Sequence, residues 1–76
     1  MNFVEYFYGF KRILLSHLDA EMDLKDIISD TDLSKENQIE EIVVLLEHLE
    51  SHHGLEVPTA DSDLKDFARY IYEQYI

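Results

Sequence analysis

Phe3, Phe7, Phe10, Leu14 and Leu18 follow one another at steps of four, three, four and four. That spacing lays all five along one stripe of an α-helix and predicts a helix over about residues 2–18. Little interrupts this habit further along: the 76 residues hold two glycines and one proline, and 46% are hydrophobic, which points to a compact all-α fold rather than a disordered or all-β one. At this length the expectation is one domain, residues 1–76, near the size at which a single core only just offsets the entropy of folding. Gly9 inside the first helix costs up to about 1 kcal/mol relative to alanine, so packing must outweigh it or a neighbour must come close. Tyr6, Tyr8 and Leu15 lie off the stripe and read either as a thicker core or as a partner-binding patch.

From Asp19 to Leu33, "DAEMDLKDIISDTDL" shows no sustained period, although Leu24, Ile27, Ile28 and Leu33 call for burial. The expectation is a long ordered loop with at most one helical turn. A second helix follows Ser34, whose hydroxyl can cap it while Glu36 favours the positive end of the helix dipole. Ile39, Ile42, Val43, Leu46 and Leu49 form its inner stripe, Val44 and Leu45 widen it so that two sides pack, and Gly54 is the stop. After "LEVP", Thr59, Asp61 and Ser62 are candidate caps for a last helix that turns Leu64, Phe67, Ala68, Ile71 and Tyr75 inward.

Charge narrows the partners. Seventeen acids against six bases give a formal net charge of −11, which repels nucleic acid and anionic membranes and would attract a basic protein; the plain alternative is that the acids only keep a small domain soluble. With no cysteine, disulfides, thiol catalysis and zinc–thiolate sites are excluded. "MNFVEYFYGF" carries its acid early and "KR" follows it, the reverse of a secretory leader, and no apolar run spans a membrane; the expected place is the cytoplasm.

A long first helix, a long loop, an acidic second helix closing in "LESHHGLEVP" and a final "SDLKDFARYI" together resemble the acyl and peptidyl carrier proteins. Leu49, Glu50, Gly54, Leu55, Glu56, Val57 and Pro58 match the family's helix-closing stretch. Leu64, Asp66, Phe67, Tyr70 and Ile71 match its last helix, and "DTDL", Asp30 to Leu33, resembles its loop before the second helix. The resemblance implies a three- to four-helix bundle with acyl-carrier-protein-like topology. It also implies a non-enzymatic protein whose acidic second helix, through Glu36, Glu40, Glu41, Glu47 and Glu50, docks on a basic patch of a transferase or synthase. Family members hold phosphopantetheine on the serine of an Asp-Ser-Leu motif. Counting back from Pro58 puts that serine near Gln38, Ile39 and Glu40, where no hydroxyl stands, so the expectation is no cofactor. Ser34 is the nearest serine; it stands as a candidate attachment residue beside its plainer role as a helix cap. Only five residues separate Pro58 from Leu64, so the family's short third helix is expected to be missing or reduced to a turn.

Two readings of other classes remain. One is an acidic inhibitor, an immunity-type protein or nucleic-acid mimic that fills a basic cleft. The other is a homo-oligomer that buries the Phe and Tyr surface of the first helix. His48 and His52, four apart, share a helix side with Glu47, Glu50, His53 and His17 nearby, and could together hold a divalent cation. "HLESH" is not the His-Glu-x-x-His arrangement, and histidines at a helix C-terminus also sit well by its dipole, so the sequence assigns no metal. "DTDLSKENQIEE" has Lys35 where a calcium loop needs glycine and Asn37 where it needs an apolar residue. No carboxylate pair, phosphate loop or nucleophile elbow stands out, so no enzyme is expected.

Overall fold

The computed structural model describes residues 2–75. Four helices follow one another: α1 (Phe3–Ser16), α2 (Leu18–Ser29), α3 (Lys35–His53) and α4 (Asp61–Gln74). No strand occurs among the described residues. α3 packs against both α2 and α4, and α1 closes the bundle by packing on the same two helices.

α1 begins where the Asn2 side chain accepts the Val4 N–H at 3.0 Å. Phe10 and Leu14 are buried, and Phe3 and Phe7 are half-buried against α4, with ring centres 5.5 Å from Phe67 and 5.4 Å from Tyr70 respectively. Tyr6 joins the same aromatic layer at 5.8 Å from Phe67. The helix ends two residues earlier than its stripe suggests. His17 turns extended (φ −130°) and Leu18 becomes the first residue of α2, 70% exposed rather than packed.

The segment expected to be a loop is a helix. Within α2, Ala20 and Leu24 are buried and Ile27 and Ile28 half-buried, a stripe that starts on an alanine and is blurred by the exposed apolar residues Leu18 and Met22 beside it. Asp19 and Glu21 sit in the first turn, where the helix dipole favours them, and Lys25 pairs with Glu21 one turn back at 3.1 Å. The Asp30 side chain then accepts the Asp32 N–H at 3.0 Å and turns the chain toward α3.

α3 starts and stops where its sequence says. Ser34 Oγ accepts the Asn37 N–H at 3.2 Å, and Gly54 takes the left-handed conformation (φ 69°) that ends the helix with the Leu55 N–H on the Leu49 carbonyl at 3.2 Å. Ile39, Ile42, Leu45, Leu46 and Leu49 are buried, Val43 is half-buried and Val44 is exposed. Leu55, Val57 and Pro58 then lie buried under the bundle, with no helix between Gly54 and Ala60. α4 buries Leu64, Phe67, Ala68 and Ile71, while Tyr75 remains 43% exposed. Its N-cap is Ala60, without a side-chain bond; none of Thr59, Asp61 and Ser62 caps it, and Asp61 and Asp63 instead face the dipole from the first turn.

Candidate docking surface

Gln38, near the start of α3, is turned inward. It is the one buried polar residue among the described residues. Its amide nitrogen donates to the Asp30 carbonyl and its oxygen accepts the Tyr72 hydroxyl at 3.0 Å, so one side chain ties the α2–α3 turn to α4. Ile39 is buried as well and Glu40 is exposed. Ser34 is exposed and its oxygen serves as the α3 cap.

The five glutamates of α3 divide into two groups. Glu40 meets Lys65 at 3.0 Å, and Glu36 meets Lys65 at 3.7 Å and Arg69 at 3.6 Å, with Asp66 closing the cluster on Arg69 at 3.4 Å. The hydrogen bond that Lys65 donates to Glu40, and then the charge of that carboxylate, hold the Lys65 ammonium above its ordinary range. All these groups are substantially exposed, so water screens the pairs and they fasten α3 to α4 only lightly. Glu41, Glu47 and Glu50 are exposed and form no ion pair among the described residues.

Helix α2 brings further acids to that second group. Asp23, Asp26 and Ile27 face Glu41, Val44, Leu45 and His48 across a shallow groove between α2 and α3. Val44, 60% exposed, forms the ridge between this groove and a second one that holds Glu47, Glu50, Pro58 and Asp61. The result is an apolar residue ringed by carboxylates, an arrangement suited to a basic surface that also offers an apolar contact. Sequence reading missed Asp23 and Asp26 because it took their segment for a loop. A signal was there: Asp19, Asp23, Asp26 and Asp30 step by four, three and four, the spacing of one helix face.

The remaining groups singled out in the sequence separate as well. Tyr8 and Leu15 of α1 stay 61% and 77% exposed, whereas the phenylalanines of that helix are turned into the bundle. His48 and His52 stack with ring centres 4.2 Å apart, and His17 comes within 3.9 Å of His53. Loss of hydration first, then the neighbouring His17, His48 and His52 rings, hold His53 below its usual pKa. No helix among the described residues is long and apolar enough to cross a membrane.

The molecule is a small four-helix bundle in which the exposed Val44 stands between two grooves lined in part by carboxylates. Compared with family models, curated proteins and solved structures, the chain matches none.

Proposed function

We propose that the chain is a non-enzymatic docking domain of the acyl- or peptidyl-carrier kind. It offers an acidic face to the basic patch of an acyl- or aminoacyl-transferring enzyme, in the cytoplasm, and carries no phosphopantetheine arm. The observation that supports this most is the set of uncompensated acids around Val44, with Asp23 and Asp26 on one bank of the groove and Glu41 on the other. Glu36 and Glu40 contribute less, since Lys65 and Arg69 already neutralise part of their charge. Long-range attraction from a chain of net charge −11 speeds encounter and selects a basic partner, and Val44 supplies the short-range apolar contact. The same field repels nucleic acid, so the partner is a protein.

Two measurements test this reading. Incubation with a broad-specificity phosphopantetheinyl transferase and coenzyme A, followed by intact mass, should leave the mass unchanged, because no hydroxyl stands at residues 38–40 and Ser34 is held as a cap. A mass gain abolished by Ser34→Ala would convert the domain into a true carrier. Excess protein should also compete with an authentic carrier for enzymes that load or use one. Salt, or the combined change Asp23→Asn, Glu41→Gln and Val44→Asp, should relieve the competition. Absence of competition across a panel of such enzymes, or competition indifferent to those changes, removes the docking reading.

A further inference from the structure

Helix α1 carries two stripes. The inner one, Phe3, Phe7, Phe10 and Leu14, is packed into the bundle. The outer one is Val4, Tyr8, Lys11 and Leu15, again at steps of four, three and four. Val4, Tyr8 and Leu15 are 46%, 61% and 77% exposed, and the Lys11 Nζ stands 5.2 Å from the centre of the Tyr8 ring, which lays its aliphatic stem along the stripe. Alternating steps of four and three are the spacing at which one helix meets another along a seam. Nothing in the bundle covers this one. Beside it, an open cavity of about 130 Å³ between α1 and α2 is lined by Leu14, Leu15, Leu24 and Tyr75 among others.

Two charges border the seam. Glu5 and Arg12 each follow a seam residue, Val4 and Lys11, and stand seven apart, so they lie along the same edge. Both are exposed, and neither forms an ion pair among the described residues. Glu5 instead shares a small cleft with another acid, Glu56.

We propose that this seam is the docking surface for a second copy of the chain, the two α1 helices lying antiparallel about a twofold axis between the levels of Tyr8 and Lys11. The inference is independent of the docking reading, which uses the grooves on either side of Val44. In this register Val4 of each copy meets Leu15 of the other, and Tyr8 meets Lys11, so the cation–π contact present within the chain is offered between chains as well. Glu5 of each copy falls opposite Arg12 of the other. Two charges left unpaired in the single chain thereby become two ion pairs in the dimer. A parallel pair would instead set Lys11 against Lys11 in the seam, like charge on like. Net charge selects the same face: α1 holds one acid, Glu5, against the two bases Lys11 and Arg12, whereas acids outnumber bases in each of the other three helices. Two molecules of net charge −11 therefore meet with least repulsion along α1.

The contact is one helix long, so association is weak and has to be read over a range of concentration. Sedimentation equilibrium of the full chain, at about 0.15 M salt and up to about 1 mM protein, should show the mass rise from that of one chain toward that of two and go no further. Leu15→Asp, at an exposed position, should hold the protein as a monomer throughout. Glu5→Arg and Arg12→Glu each turn two attractions into repulsions and should each weaken the dimer roughly tenfold. An equal mixture of those two variants should regain the lost affinity, since each supplies the charges the other lacks. Far-UV circular dichroism of every variant separates loss of contact from loss of fold. The proposal is overturned by a mass of one chain at every concentration, by growth past two chains, by a dimer indifferent to Leu15→Asp, or by a mixture that associates no better than its components. If the single chain binds phosphatidylcholine vesicles instead, the seam belongs to a lipid surface and the proposal falls.

Discussion

The two glycines of the chain sit in opposite situations. Gly54 adopts φ 69° at the end of α3, a conformation that places a Cβ against its own backbone, so Gly54→Ala should destabilise the protein by about 1 kcal/mol although the space around it is open. Gly9 lies inside α1, where a Cβ would meet the Leu55 Cδ1 at 3.8 Å, an ordinary van der Waals contact. Gly9→Ala should therefore stabilise by up to about 1 kcal/mol through helix propensity alone. Urea denaturation of both variants checks the pair, and a destabilised Gly9→Ala would show that Leu55 cannot share the site. Gln38 makes a sharper demand. Removing its amide leaves the Tyr72 hydroxyl and the Asp30 carbonyl without their partner, so Gln38→Ala should cost about 1–3 kcal/mol and Tyr72→Phe about 0.5–1.5 kcal/mol. The double variant should cost less than the sum of the two, since the residues share one bond.

At the scale of elements, α2 departs most from what its residues suggested. Ser34, Gly54 and the dense apolar stripe made the limits of α3 legible, because capping and termination are local chemistry that needs no partner. α2 has neither a capping side chain nor a full stripe; Ala20 and Leu24 become a buried face only because α1 and α3 lie beside them. Met22 tests the assignment, since it is exposed and its side chain contributes little. Met22→Pro should cost about 3 kcal/mol or more by breaking the helix, while Met22→Ala changes little; a loop would tolerate both. The junction of α3 and α4 gives a prediction in pH. The Lys65 pKa is raised in the folded state, so its contribution is fully present below the ordinary value of 10.5 and is lost as the pH climbs through the raised one. The stability difference between the native chain and Lys65→Met should thus be constant through neutral pH and shrink above it, as pH-dependent thermal melts would show.

Over the whole molecule, the excess of acids opposes compaction. The bundle measures 30 × 27 × 20 Å, so at roughly 0.01 M salt, where screening sets in over about 30 Å, its negative charges repel one another across the entire structure. At about 0.15 M the screening length falls to about 8 Å and most of that repulsion is lost. The urea midpoint should therefore rise with sodium chloride; a fall would mean that the Lys65 and Arg69 pairs outweigh the general repulsion. The sequence by itself determined that the chain is helical, where α3 begins and ends, which residues of α1 and α4 face inward apart from Leu18 and Tyr75, which are exposed, and that any partner must tolerate a strongly negative surface. Each of these follows from spacing, capping and charge, which are carried by near neighbours along the chain. Only the tertiary structure decided that α2 is a helix, that Gln38 is a buried strut, that Lys65 and Arg69 take up Glu36 and Glu40, and that Val44 stands among free carboxylates. Those facts depend on residues brought together from different helices, and no local pattern records which faces will meet.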